Sequence, residues 1–208
     1  MKALELFNLS GKSAMITGGA RGIGKVISYA LAEAGANVTL ASRDEKTCAS
    51  VAEEIRKETG RLTFSGRLDV TEKSSVEEIV RLAEEKLGTI DILVNNSGAT
   101  WGAPFEEMPL DKWDHVIRVN LTGTFLMCQC VAPLMKERKW GRIINVSSVA
   151  GLVATPFFMQ TAGYSASKGG IISLTRDLAV KLAEYNIVVN AIAPGFIPTK
   201  MSRPLTDR

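Results

Sequence analysis

Short apolar runs alternate with longer amphipathic stretches along most of this chain. The runs resemble buried strands, and they lie at Lys12–Thr17, Asn37–Ala41, Arg61–Val70, Ile90–Val94, Arg142–Val146 and Ile187–Ile192. Between them, apolar residues recur three and four positions apart, as in a helix with one buried face. This spacing predicts helices at Gly22–Ala34, Glu45–Thr59, a segment whose first turn carries a Ser74–Glu77 capping box, Leu110–Arg138 and Tyr164–Glu184. The alternation predicts a doubly wound α/β fold with a parallel sheet, in a single domain over residues 1–208.

Composition narrows the class of protein. Of 208 residues, 46% are hydrophobic and 23% are charged, which excludes a disordered or collagen-like chain. The net charge of +3 gives no reason to expect nucleic acid as a partner, and no apolar run is long enough to span a membrane. The three cysteines form no obvious disulfide framework, the single His115 removes most metal sites, and Met1–Ser10 does not resemble a signal peptide. We therefore expect a cytoplasmic protein without a bound metal.

A glycine-rich segment, Thr17–Gly24, joins the first predicted strand to the first predicted helix. Gly18 allows a tight turn, Gly22 lets the backbone approach a pyrophosphate, and Gly24 lets the helix pack against the strand. The N–H groups at the helix start can then bind the anion. This context favours a dinucleotide-binding Rossmann fold, although a purely structural glycine turn would contain the same residues.

The end of the second predicted strand indicates which dinucleotide is bound. An acidic residue there would bond the adenosine ribose of NAD, whereas an arginine would pair with the 2′-phosphate of NADP. The chain has Ser42 and Arg43 at this position, and Arg21 of the glycine segment can assist. We therefore predict NADP(H), with NAD as the second choice if the adjacent Asp44 points inward. The alternative for Arg43 is a solvated surface arginine.

Four further motifs follow in order: Asn95–Gly98 (Asn-Asn-Ser-Gly), Asn145–Ser148 (Asn-Val-Ser-Ser), Tyr164–Lys168 (Tyr-Ser-Ala-Ser-Lys) and Pro194-Gly195. Each alone is common, but the ordered set resembles the shorter branch of the short-chain dehydrogenase/reductase family over nearly the whole chain. The resemblance implies an oxidoreductase that transfers a hydride between a nicotinamide and a ketone or secondary alcohol of sugar-acid or 3-oxoacyl type. The alternative is a nucleotide-binding scaffold or regulator without turnover. Dehydration or epimerisation by the same tyrosine is disfavoured by the glycine spacing.

The candidate catalytic residues are Tyr164, Lys168, Ser148 and Asn120. Tyr164 and Lys168 are one helical turn apart, so we expect the ammonium to lower the phenol pKa from about 10 and to let Tyr164 exchange a proton with a substrate oxygen. Ser148 follows a strand at the ligand-binding edge of the sheet and can polarise the substrate, with Ser147 as its competitor. The resemblance implies that Lys168 also binds the nicotinamide ribose and that Asn120 holds a water that relays protons. A hydrogen-bonded structural asparagine is the equal alternative for Asn120.

The resemblance assigns the remaining cofactor contacts. Asp69 and Val70 match the adenine contact, Asn96 matches a central contact, and Ile197 matches the residue whose backbone meets the nicotinamide carboxamide, with Thr199 beside it. Asn96 can instead tie strands together. The complete predicted set is Gly18, Ala20, Arg21, Gly22, Ile23, Gly24, Ser42, Arg43, Asp69, Val70, Asn96, Tyr164, Lys168, Pro194, Gly195, Ile197 and Thr199.

Two regions depart from the family pattern. The segment before Tyr164 is longer than usual and apolar, and we expect it to shape substrate choice, in particular through Phe157 and Phe158. The chain stops at Arg208, whereas family members usually continue with a substrate-covering segment, a helix and a last strand. We therefore expect a truncated sheet in which Ile187–Ile192 is an edge strand. The resemblance also implies a homotetramer or homodimer, built through the last two predicted helices, and a small carbonyl or alcohol substrate.

Overall fold

A parallel sheet of six strands lies at the centre of the protein, in a computed structural model that describes residues 3–198. The strands are β1 (Ser13–Thr17), β2 (Asn37–Ser42), β3 (Thr63–Arg67), β4 (Ile92–Asn95), β5 (Gly141–Val146) and β6 (Ile187–Ile192). Their order is β3-β2-β1-β4-β5-β6, so the chain winds from β1 to one edge and then from β4 to the other. This topology confirms the predicted doubly wound α/β fold, and its switch point lies between β1 and β4.

Helices cover both faces of the sheet. They are α1 (Gly22–Glu33), α2 (Glu45–Thr59), α3 (Lys73–Leu87), α4 (Leu110–Ile117), α5 (Gly123–Arg138) and α6 (Ala162–Leu182). Successive strand residues point to opposite faces, so Met15 of β1 packs with the cluster that α3, α5 and α6 complete, whereas Ile16 packs with the cluster that α1 and α2 complete. Burial on both faces explains why the strands are continuous apolar runs.

The turn after β3 corrects two predicted boundaries. The strand was expected to reach Val70, but β3 ends at Arg67. In the turn that follows, the Asp69 carboxylate accepts hydrogen bonds from the N–H and hydroxyl of Thr71 at 3.0 and 2.7 Å. The predicted capping box of Ser74 is wrong, because α3 begins at Lys73 and the residue before it makes no side-chain capping bond. These bonds turn the chain into α3 beside the carboxyl edge of the sheet.

The long helix predicted over residues 110–138 is interrupted by a π-helical turn, Arg118–Thr122, between α4 and α5. Inside this turn, the Asn120 side chain bonds to the backbone of Ala99. Gly123 approaches Val70 so closely that a methyl group there would lie 2.8 Å from Val70 Cγ2. The wider turn therefore holds the helix against the carboxyl edge, and such turns are common at functional sites.

β6 is an edge strand of the sheet that residues 3–198 form, as expected. Val188 and Ile192 on one side of it are each 42% exposed, whereas Ile187 and Val189 on the other side are buried. Within the same residues, no helix combines the length and the apolar character needed to cross a membrane.

Gly24 of α1 gives a direct test of how the glycine segment packs. A methyl group on Gly24 would lie 2.2 Å from the Gly18 carbonyl oxygen and 2.5 Å from Asn96 Nδ2. We expect Gly24→Ala to lower the free energy of unfolding by roughly 1–3 kcal/mol, measured by urea denaturation. Gly169→Ala in α6 is the matched control, because its new methyl group would meet its nearest atom at 3.6 Å. The free energy of unfolding of the control should rise by up to about 1 kcal/mol, because alanine has the higher helix propensity. Equal stability of the two variants would contradict the close packing at Gly24.

Candidate active site

A cleft of about 620 Å³, which we call the long cleft, runs along the carboxyl edge of the sheet from the glycine segment to α6. Most of the predicted site residues line it. They are Gly18, Arg21, Gly22, Ile23, Ser42, Arg43, Asp69, Val70, Asn96, Ser148, Tyr164, Lys168, Pro194 and Gly195. The topology therefore brings together residues that lie far apart along the chain. It places them at the switch point of the sheet, where such folds bind ligands.

The other predicted site residues lie elsewhere. Ala20 and Gly24 of the glycine segment are buried, and Gly24 packs on the Gly18 carbonyl. Ile197 lines a neighbouring cavity, Asn120 is fully buried, and Thr199 is outside the described residues. Gly24 therefore supports the backbone that forms the cleft wall.

Left-handed backbone shapes the glycine segment. Gly18 has φ +65° and Gly22 has φ +50°, a region that residues with a side chain rarely adopt. The second of these turns the chain directly into α1, whose first residues line the long cleft and whose N-terminus has no side-chain cap. The helix N–H groups are thus available to an anion in the cleft.

Thr17 and Asn96 fasten the glycine segment to the end of β4. Thr17 Oγ1 accepts hydrogen bonds from the N–H groups of Asn96 and Ser97 at 3.0 and 2.9 Å. Asn96 Nδ2 donates to the carbonyl oxygens of Thr17 and Gly18 at 3.0 and 3.2 Å. Asn96 therefore ties strands together, as the alternative interpretation held, while it also lines the cleft.

Asp44 does not line the long cleft, which bears on the choice of dinucleotide. Its carboxylate caps α2 by accepting from Thr47 N–H at 3.1 Å and Thr47 Oγ1 at 2.8 Å, and it pairs with Arg21. These bonds to Thr47, foremost the backbone one, lower the pKa of Asp44. Arg43, in contrast, is exposed and lines the cleft, so its guanidinium is open to a ligand there.

Lys168 and Tyr164 lie together on α6, with Lys168 Nζ 5.5 Å from the centre of the Tyr164 ring. Lys168 is 4% exposed, and its ammonium donates to the Val146 carbonyl oxygen at 2.7 Å. Burial lowers the pKa of Lys168 to about 8. The expectation that Lys168 lowers the pKa of Tyr164 is wrong for this structure: burial raises the phenol pKa, and only the Ser148 hydroxyl opposes that rise.

The two neighbouring serines after β5 have different environments. Ser147 is buried, and its hydroxyl donates to the Lys168 carbonyl oxygen at 2.8 Å. Ser148 is half-buried, accepts a hydrogen bond from Ala150 N–H at 3.2 Å, and faces Tyr164 in the long cleft. The geometry thus supports Ser148 as the substrate-contacting serine and gives Ser147 the task of fixing α6.

Asn120 is held entirely by protein groups. Its Oδ1 accepts from Ala99 N–H at 2.7 Å, and its Nδ2 donates to the Ala99 carbonyl and to Ser167 Oγ, both at 2.9 Å. These bonds satisfy the side chain of a residue with no exposed surface. The structural alternative therefore accounts for its side chain, which positions the loop after β4 against α6.

With this geometry in view, comparison with known proteins identifies the family. Residues 12–208 match the family described as short chain dehydrogenase. The chain belongs to the short-chain dehydrogenase family. As a member of it, the protein is an oxidoreductase of the dehydrogenase/reductase class.

Individual relatives cover most of this short-chain dehydrogenase. A 3-oxoacyl-(acyl-carrier-protein) reductase of Aquifex aeolicus (strain VF5) is 39% identical over 199 residues, 96% of this chain and 79% of that protein. A 5-keto-D-gluconate 5-reductase of Escherichia coli (strain K12) is 37% identical over 203 residues, 98% and 78% of the two chains. A crystal structure of a gluconate 5-dehydrogenase from Burkholderia cenocepacia J2315, in complex with NADP and tartrate, has a TM-score of 0.94 at 39% identity and covers 100% of this chain and 80% of that one.

A second cavity, of about 310 Å³, opens beside Tyr164 and Ser148, and we call it the side cavity. The segment before α6 forms one of its walls, as expected, but the two aromatic residues named for this task are the wrong ones. Phe157 is 92% exposed and Phe158 is 51% exposed, and they pack edge to face with each other outside the cavity. The side chains at the wall belong to their neighbours in the same loop, such as Met159.

Sequence reasoning missed the part of the long cleft that follows β4. Ser97, Gly98, Ala99 and Thr100 all line it. Two signals could have found them: they overlap the Asn95–Gly98 motif, and they follow the carboxyl end of a strand beside the switch point. A Cβ on Gly98 would lie 3.8 Å from Lys168 Nζ, so this loop closes over the ammonium.

The titration of Lys168 gives a test of this site. The folded lysine loses its proton above about pH 8, whereas an unfolded lysine keeps it to about pH 10.5. Between these values the unfolded chain binds more protons, so the free energy of unfolding rises with pH. Relative to that of Lys168→Met, the free energy of unfolding of the wild type should rise by about 2 kcal/mol between about pH 7 and about pH 9.5, measured by urea unfolding at each pH. A stability difference that does not change with pH would contradict the buried position of the ammonium.

Proposed function

We propose that this protein transfers a hydride between NADP(H) and a ketone or secondary alcohol, with Tyr164 as the acid and base. The observation that carries the proposal is the meeting of Tyr164 and Ser148 where the long cleft joins the side cavity, with Lys168 beside them in the long cleft. A reacting carbonyl at that junction would lie beside a phenol that can give up a proton and a serine hydroxyl that can hold its oxygen. The relatives, which are named as reductases of keto groups, support this reaction class.

The long cleft fits a dinucleotide. The left-handed glycines Gly18 and Gly22 leave the backbone uncovered where a pyrophosphate would approach the start of α1. Asp69 and Val70 line the cleft, as expected for an adenine pocket, and Lys168 also lines it, with its ammonium buried in the wall. A nicotinamide bound there would supply or accept the hydride.

The choice of NADP rests on charge. Arg43 lines the cleft next to Ser42, where a ribose 2′-phosphate would lie, and its planar guanidinium can bind such a phosphate through two hydrogen bonds. Asp44, the acidic residue that follows Arg43 in the chain, is used as the cap of α2 and as the partner of Arg21. The NADP complex of the Burkholderia cenocepacia relative supports the same choice.

The protonation states suit reduction near neutral pH. Burial raises the pKa of Tyr164, so the phenol carries the proton that a reduced carbonyl oxygen needs. Ser148 holds that oxygen while the proton moves from Tyr164 Oη to it, and the product is an alcohol. Lys168, one turn further along α6, presents its ammonium to the same region and can bind ribose hydroxyls in the cleft. In the direction of alcohol oxidation, Tyr164 must first lose its proton, so oxidation is favoured at higher pH.

The proposal also includes a reducing cellular compartment and assembly into homo-oligomers. Cys48, Cys128 and Cys130 are free thiols, which supports a reducing compartment such as the cytoplasm. Assembly into homo-oligomers through α5 and α6 is supported by apolar side chains exposed on these helices, with Phe125 43% and Val180 80% exposed.

Replacement of Tyr164 tests the chemistry. Tyr164→Phe removes the transferable proton while the ring keeps its volume, so turnover of a ketone with NADPH should fall by about 10²–10⁴-fold with cofactor affinity retained. Tyr185→Phe is the control, because that tyrosine packs against Lys136 away from both cavities. Absorbance of NADPH measures turnover, and its fluorescence measures binding. Full activity in Tyr164→Phe would refute the assigned role, and NADPH binding by a wild type that never reduces any ketone would favour a regulatory scaffold.

Replacement of Arg43 tests the cofactor. Arg43→Ala should weaken NADPH binding by roughly 10–100-fold and leave NADH binding nearly unchanged, because only NADPH carries the phosphate that Arg43 would bind. Lys46→Ala is the control, since Lys46 is exposed nearby on α2 but does not line the long cleft. Fluorescence titrations with both nucleotides provide the four dissociation constants. Equal losses for NADPH and NADH, or equal effects of the two substitutions, would count against a phosphate site at Arg43.

A further inference from the structure

The side cavity adjoins the proposed reacting groups, so it can hold the part of the substrate that extends beyond the reacting carbon. It shares Ile23, Thr100, Ser148, Tyr164 and Gly195 with the long cleft, so the two spaces join at the proposed reacting groups. A carbonyl held between Ser148 and Tyr164 would therefore direct one of its substituents into the side cavity. The chemistry of that substituent is limited by the walls it meets.

No charged side chain lines the side cavity among residues 3–198. Its walls are formed largely by Val153, Ala154, Pro156, Met159 and Phe196. The arginines and the acidic residue that line the long cleft do not line this space. A carboxylate placed here would lose its hydration without a cation to compensate, which is strongly unfavourable.

Few hydroxyl groups lie in the walls, and some of them are already hydrogen-bonded or buried. Thr155 Oγ1 donates to the Met159 carbonyl oxygen at 3.2 Å, within the loop itself. Thr161 also lines the cavity, but its Oγ1 is buried. Beside Ser148 and Tyr164, which would hold the reacting oxygen, this leaves the Thr100 hydroxyl among the wall residues that lie within 3–198. A polyhydroxylated substituent would thus leave several hydroxyl groups without partners, and each unpaired group weakens binding.

We propose that the side cavity selects uncharged ketones and alcohols with a short aliphatic substituent, and that it discriminates against keto acids derived from sugars. This inference rests on the proposed function, because it concerns the substrate of the same reaction. The volume of about 310 Å³ lies at the small end of ligand pockets, which favours a chain of a few carbon atoms. Each methylene group that enters an apolar wall should raise kcat/KM about fourfold until the cavity is full.

A substrate series tests the selection. NADPH consumption is followed with 2-butanone, 2-pentanone, 2-hexanone and 5-keto-D-gluconate, and binding of 2-hexanol and gluconate to the NADP⁺-loaded protein is followed by saturation-transfer NMR. We expect kcat/KM to rise along the ketone series and to exceed that of the keto acid by at least about 100-fold, with binding of 2-hexanol alone. Equal or faster reduction of 5-keto-D-gluconate would overturn this inference while it leaves the proposed function intact. Failure of every substrate with both NADPH and NADH would overturn the proposed function as well.

A charge placed in the wall provides a second, independent test. Val153 lines the side cavity but is 66% exposed, so Val153→Arg should fold normally and put a cation at the wall. We expect the ratio of kcat/KM for 2-hexanone over 5-keto-D-gluconate to fall at least about tenfold. Phe157→Arg is the matched control, because it adds the same charge to the same loop at a residue that points away from the cavity. Equal changes of the ratio in the two variants, or no change in either, would contradict selection at this wall.

Discussion

The ammonium group of Lys168 is almost completely buried, and the Val146 carbonyl oxygen holds it at 2.7 Å. A second bond runs the opposite way, from the Ser147 hydroxyl to the Lys168 carbonyl oxygen at 2.8 Å. Together they lock α6 to the carboxyl end of β5, so that Tyr164 has one position relative to the sheet. The close approach is also seen at Gly151, where a methyl group would lie 2.5 Å from the Lys168 carbonyl carbon. The arrangement of the site depends on this junction, because a shift of α6 would separate Tyr164 from Ser148.

Burial of a cation is unfavourable in free energy, and the structure indicates which properties of the site depend on it. A lysine with its pKa lowered to about 8 is still largely protonated at neutral pH, yet it is weakly hydrated and directed at a cleft. Such a group binds the hydroxyls of a ligand more strongly than a solvated lysine would, because it has less water to lose. The same burial raises the pKa of Tyr164, which keeps its proton available for a carbonyl oxygen. One packing arrangement would therefore provide both the anchor for a dinucleotide and the acid for reduction that we propose.

The fold was predictable from local pattern, whereas several features of the site were not. Strands buried on both faces and glycines at a strand–turn–helix junction leave a clear signal, and the positions of Gly18, Arg43, Tyr164 and Lys168 in one cleft follow from parallel topology. The π turn at Asn120 depends on bonds to Ala99, 21 positions away, which no local spacing encodes. The direction of the Tyr164 pKa shift was missed for a related reason, because burial is a property of the assembled structure.

The most direct test of the proposed site is a crystal structure of the protein with NADP⁺ bound. We expect the dinucleotide to lie along the long cleft, with its 2′-phosphate at Arg43, its pyrophosphate at the start of α1, and its nicotinamide ring facing Tyr164 and Ser148 at the mouth of the side cavity. A dinucleotide bound elsewhere, or a nicotinamide ring separated from the Tyr164 hydroxyl by protein, would contradict it.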